Sequence, residues 1–305
     1  MKFHIYILTI ISFIFQSCFT GIESTPKITL KDNNTIEKIT LTDEQKFLDN
    51  ISNQPFSQWE IGKIFIVCDN KISLIFDSYS SSDSLYGDSL TYIGYKTYTS
   101  VTGDINTQIL LKHNDKDTLI YNMNASPQEI DSRKSFDIPF TIQKSVIESV
   151  KNKLINKEFY IITSSTYDKN GNNIRTPKFI PVTITNITHG NYQYPIKVEF
   201  NFLSKKIGCV YMTIGRSIQA TRNFETIFSL KDPRNSYPKI SDSYWQLITN
   251  NSVTPGMNKD ECRLALGIPT HIDRLPTYSG VVEYWGYDAG NILIFEDGLL
   301  KEHKK

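Results

Sequence analysis

The sequence predicts an α+β protein, with β-rich modules of small-barrel or sandwich type followed by a C-terminal ααβββ layer. Three observations carry this. Short apolar runs separated by polar or Gly-containing turns fill most of residues 59–123 and 158–214. Between them, Ile142, Val146, Ile147, Val150 and Leu154 recur at helical spacing. Residues 240–303 read instead as helix, helix, then antiparallel meander.

The N-terminus reads as an address. Lys2 gives a minimal basic region, Ile5 to Phe15 an apolar one, and Cys18 follows Ser17 where a bacterial lipoprotein signal is cut and acylated. Phe15 and Gln16 depart from the usual lipobox, while Ser17 fits it. The expectation is a signal peptide over 1–17, lipidation of Cys18 and a polar tether over 18–36 that contains Pro26. An ordinary secretory signal and an uncleaved anchor are the alternatives. No later segment approaches the ~20 apolar residues of a membrane span, and stable anchoring needs two or more membrane signals, which several acyl chains supply.

A first β-rich module is expected over 37–135. Thr42 and Gln45 form a capping box for a helix over Asp43 to Asn50. Strands are expected at Lys63 to Cys68, Ile72 to Phe76, Leu90 to Tyr98, Gln108 to Lys112 and Thr118 to Tyr121. A helix over Ile142 to Leu154 opens the second module, 136–235. Its strands are Glu158 to Ser164, Phe179 to Ile187, Ile196 to Phe202 and Gly208 to Ile214, with a turn at Asp168 to Asn172. Ile61-Gly62-Lys63 and Ile155-Asn156-Lys157 punctuate the two blocks alike, which raises a duplicated β module. Lys231-Asp232-Pro233 then opens a linker that runs to Pro238.

In the third region, a helix over Asp242 to Thr249 precedes one that Asn258 and Glu261 cap reciprocally. Gly267 and Pro269 stop that helix. Strand-like runs follow at Thr270 to Arg274, Val281 to Tyr287, Asn291 to Glu296 and Leu299 to Glu302, with Asp297-Gly298 as a two-residue hairpin turn. Thr254-Pro255-Gly256-Met257, Glu261, Leu266-Gly267-Ile268-Pro269, Glu283-Tyr284-Trp285-Gly286-Tyr287 and Phe295-Glu296-Asp297-Gly298 together resemble the SmpA/OmlA (BamE-like) lipoprotein domain. Cys262 stands where that family usually has an aliphatic residue. The resemblance implies an envelope lipoprotein that serves in assembly or as a scaffold and has no catalytic residues. It also implies structural roles for Gly256, Met257, Gly267, Pro269, Trp285, Tyr287, Phe295 and Gly298.

The remaining chemistry is thin. Lys+Arg 33 against Asp+Glu 32, without a basic stripe, gives nucleic-acid binding little support. Cys68 and Cys209 lie in strand-like runs, as buried small hydrophobes or as a bridged pair; Cys262 lies on a helix. The histidines have no metal-ligand spacing, and no cofactor fingerprint is present. Gly87-Asp88-Ser89-Leu90 spells the GDSL hydrolase motif, but no Asp stands three residues before a His to supply that family's base. Asp83-Ser84-Leu85, Asp88-Ser89-Leu90 and Asp117-Thr118-Leu119 resemble short O-glycosylation sites of Bacteroidetes envelope proteins. The expectation is a non-enzymatic lipoprotein, lipid-anchored to the outer membrane on its periplasmic face, with an envelope protein as partner. The alternative is a glycan- or small-ligand-binding lipoprotein using the Trp59 and Tyr-rich β region.

Overall fold

The computed structural model describes residues 41–77, 83–114, 117–133, 136–203, 205–215, 221–278 and 280–304. Its strands form three antiparallel sheets, each with its own apolar core. The signal peptide, Cys18 and the tether lie outside the described residues.

Helix α1 (Asp43–Lys46) starts at the expected Thr42/Gln45 box but stops four residues short of Asn50. Lys153 Nζ takes the Phe47 carbonyl at 2.7 Å, and Ile51 N turns to Leu48 O instead. The first sheet comprises β1 (Ile64–Val67), β2 (Ser89–Thr99), β3 (Ile105–His113), β4 (Asp117–Met123) and β5 (Thr141–Gln143), in the order β4-β3-β2-β1-β5. The strand expected at Ile72 to Phe76 is a 3-10 turn, Asn70–Ile75. Asp69 causes this, since its carboxylate accepts Lys71 N at 2.8 Å and curls the chain locally. Helix α2 (Pro127–Ser132), unanticipated, stands on a Ser126/Glu129 capping box with proline in its first turn. Helix α3 (Lys144–Leu154) buries Val146, Ile147, Val150 and Leu154 as expected. It begins two residues after Ile142, because Thr141–Gln143 pairs with β1 and carries the first sheet beyond residue 135.

The second sheet contains β6 (Glu158–Ile161), β7 (Ser165–Tyr167), β8 (Asn173–Arg175), β9 (Ile180–His189), β10 (Ile196–Phe202) and β11 (Lys206–Met212). Helix α4 (Phe224–Ile227) and β12 (Phe228–Ser229) complete it, in the order β12-β6-β9-β10-β11-β7-β8. Neither sheet closes, since the strands at its two ends are not neighbours. The expected small barrel is therefore corrected to open sheets, while the strand-rich α+β class stands.

These two sheets share one topology. With β1 to β5 set against β6, β9, β10, β11 and β12, both run fourth, third, second, first, fifth. A short side-chain-capped helix lies between the fourth and fifth strands of each. The likeness extends to single hydrogen bonds. Gly62 N donates to Tyr92 O and Tyr92 N to Lys63 O; Asn156 N donates to Ile184 O and Ile184 N to Lys157 O. Gly62 and Asn156 are both left-handed, at φ 97° and 61°. A bulge then skips Ile93 in one sheet and Thr185 in the other, each one residue past that contact. The repeated punctuation in the sequence thus corresponds to a repeated structural module.

The third sheet lies under helices α5 (Asp242–Thr249) and α6 (Lys259–Leu266). It is a meander of β13 (His271–Thr277), β14 (Gly280–Gly286), β15 (Ile292–Glu296) and β16 (Leu299–Lys304). Four strands, not three, make the layer ααββββ. Asp297 and Gly298 take φ 49° and 82°, as a tight hairpin requires.

Candidate functional site

The C-terminal layer and its seam with the second module hold the most developed side-chain chemistry among the described residues. Helix α6 starts where Asn258 Oδ1 accepts both Asp260 N and Glu261 N, and Glu261 returns a carboxylate to Asn258 N. Gly256, at φ 92°, donates to Leu300 O; a Cβ there would stand 2.9 Å from the Tyr244 hydroxyl. Met257 is fully buried, and its carbonyl accepts Leu300 N, which stitches the α5–α6 connection to β16. Gly267 ends α6 at φ 90°, and Pro269 behind it is buried. Trp285 and Phe295 are fully buried with ring centroids 4.6 Å apart. The Tyr287 hydroxyl donates to Gly267 O, and Gly298 sits in the last hairpin.

Glu283 is the electrostatic hub of this layer. Its Oε1 accepts Lys259 Nζ at 2.9 Å and Arg274 Nε at 3.1 Å, and its Oε2 accepts Trp285 Nε1 at 3.0 Å. The Lys259 hydrogen bond above all, then those from Trp285 and Arg274, hold its carboxyl down at about 2. Arg263 lies 4.6 Å over the Trp285 ring.

Lys178 joins this layer to the second sheet. Its buried Nζ donates to the last carbonyls of α6, Leu264 O at 2.5 Å and Ala265 O at 2.7 Å, where the helix dipole favours a cation. Burial, with Arg175 nearby, lowers its pKa to about 8. Lys178 N also donates to Thr249 O, Asn251 Nδ2 donates to Thr176 O, and Phe179 packs on Trp245. Nothing local in the sequence points to Lys178, because its partners lie 86 and 87 residues away.

Other candidate residues do not assemble into a site. Trp59 is buried among Phe56, Phe65, Tyr92 and Phe136, so it offers no platform for a glycan. Cys68 and Cys209 are both free, and no bridge joins them. Burial pushes the Cys68 and Cys262 thiols up to about 12, which suits packing and not nucleophilic chemistry. His113 Nε2 meets Asp88 at 2.9 Å, on the same face of the sheet as Leu90, whereas strand alternation turns Ser89 to the opposite face. Ser84, Ser89 and Thr118 are exposed, and each precedes a buried leucine.

No protein-family model matches this chain, and no curated protein and no solved structure matches it.

Proposed function

We propose that this chain is a bacterial cell-envelope lipoprotein, acylated at Cys18 and tethered through residues 18–36. In this reading it binds another envelope protein as a non-enzymatic assembly or scaffold component. It sits on the periplasmic face of the outer membrane. The observation that supports the reading best is the division of labour within the C-terminal layer. Its motif residues are spent on its own core and turns, while edge strand β13 is exposed at all seven positions. Ile272, Leu275 and Val281 carry apolar surface to solvent along this edge. An open strand edge offers backbone hydrogen bonds to a partner, and its side chains supply selectivity. Pro276, Asp273 and Arg274 on the same strand oppose indiscriminate edge pairing.

Affinity capture from detergent-solubilised membranes tests the reading. The expected result is a stoichiometric protein partner that Leu275→Asp with Val281→Asp releases without loss of fold. Cys18→Ala should move the protein out of the membrane fraction and abolish labelling by a palmitate analogue. Capture with no partner, or a partner indifferent to the β13–β14 variant, overturns the proposal.

A further inference from the structure

We propose that the cleft between the second sheet and the C-terminal layer binds a small neutral sugar. This goes beyond the scaffold reading and does not depend on it. The cleft has a volume of about 350 Å³, room for about a dozen waters at ~30 Å³ each. One hexose, with the volume of about six waters, fits within it. Its two walls come from different modules. Arg175 at the end of β8 faces Asn251 and Ser252 from the α5–α6 connection, and Tyr287, Asp288 and Asn291 from the β14–β15 connection. The Lys178 bonds to α6 and the Asn251 bond to Thr176 O hold these walls together, so the cleft exists before any ligand arrives.

The chemistry of the walls selects the ligand class. Amides and hydroxyls dominate, and each can both donate and accept, as sugar hydroxyls do. Arg175 and Asp288 offset one another in charge, which removes the preference an anion or cation would need. Val253 and Ile268 add apolar surface for the C–H face of a sugar ring. Internal bonds orient the polar groups: Asn291 Nδ2 to Asp288 O, His303 Nε2 with Asn291 Oδ1, and the Tyr287 hydroxyl to Gly267 O. Asn251 Oδ1 is buried without a hydrogen-bond partner in the described structure.

Saturation-transfer NMR on the full-length protein in detergent tests the proposal, with glucose, galactose and N-acetylglucosamine as probes and inorganic phosphate as the charged control. At least one sugar should give transfer at about 10 mM, above the dissociation constants of weak sites. Asp288→Ala with Asn291→Ala should weaken it about tenfold or more, the worth of one or two hydrogen bonds, with the melting temperature preserved. Arg175→Ala on the opposite wall should do the same, which keeps the test decisive if the double variant misfolds. No transfer from any sugar, transfer unchanged in the folded variants, or binding of phosphate alone overturns the proposal.

Discussion

Asp137 accepts Asn53 Nδ2 at 2.6 Å and Gln143 Nε2 at 3.4 Å, in a place that strips most of its water. Desolvation outweighs these bonds and the nearby Lys63 charge, and the carboxyl rises to about 7. A raised carboxyl prefers its proton in the folded state. Its stabilising contribution is thus complete below the unfolded value, ~4, and is lost as pH rises through about 7. Three units are worth at most about 4 kcal/mol, and partial exposure leaves about 2 kcal/mol. Asp137→Asn should therefore flatten the stability profile between pH ~4 and ~7 and raise neutral-pH stability by about 1–2 kcal/mol. Denaturant melts across that range check this; an unchanged slope would exclude Asp137 as its source. Nothing near Asp137 in the chain announces this, because its closest hydrogen-bond donor, Asn53, lies 84 residues away.

At the scale of elements, legibility followed length and capping. Helices α3, α5 and α6 and the Asp297-Gly298 turn carry periodicity or turn chemistry that a short window can hold. Strands β5, β7, β8 and β12 have two or three residues, too few for alternation to register. The Ile72 to Phe76 strand failed because one side-chain cap from Asp69 outweighed β propensity. In the C-terminal layer, Glu283 was visible as part of a motif but not as the anchor of β13, since Arg274 reaches it only through the β13–β14 register. Its carboxyl is depressed to about 2, so its stabilisation is present above the unfolded value, ~4.3, and fades as pH falls through about 2. Glu283→Gln should cost about 1–2 kcal/mol at neutral pH, with exposure of Arg274 limiting the loss, and much less near pH ~2. Hydrogen exchange should quicken first along β13. A variant equally destabilised at both pH values would argue for lost packing in place of lost charge.

The whole molecule couples a repeated β module to a different C-terminal layer, and the coupling rests on few groups. Cys18, the address on which the envelope reading depends, belongs to the sequence alone, whereas the repeated strand order emerged only from the topology; the sequence retained just the Gly62 and Asn156 punctuation. Between the second sheet and the third, Lys178 is the one buried side chain that donates to α6 among the described bonds. Removing its ammonium leaves the Leu264 and Ala265 carbonyls without that donor in a largely buried seam. Each unmet carbonyl costs about 1–3 kcal/mol, and an apolar replacement recovers part of this through packing. Lys178→Met should therefore lower stability by about 2 kcal/mol and, more tellingly, divide the unfolding. The C-terminal layer is expected to exchange its amides and yield to protease before the first two sheets do. In the native protein, by contrast, α5, α6 and β13–β16 should open together with β9 and β10. If the variant still unfolds in one transition with uniform protection, Lys178 is a local cap and the seam holds through Phe179 and Trp245 instead.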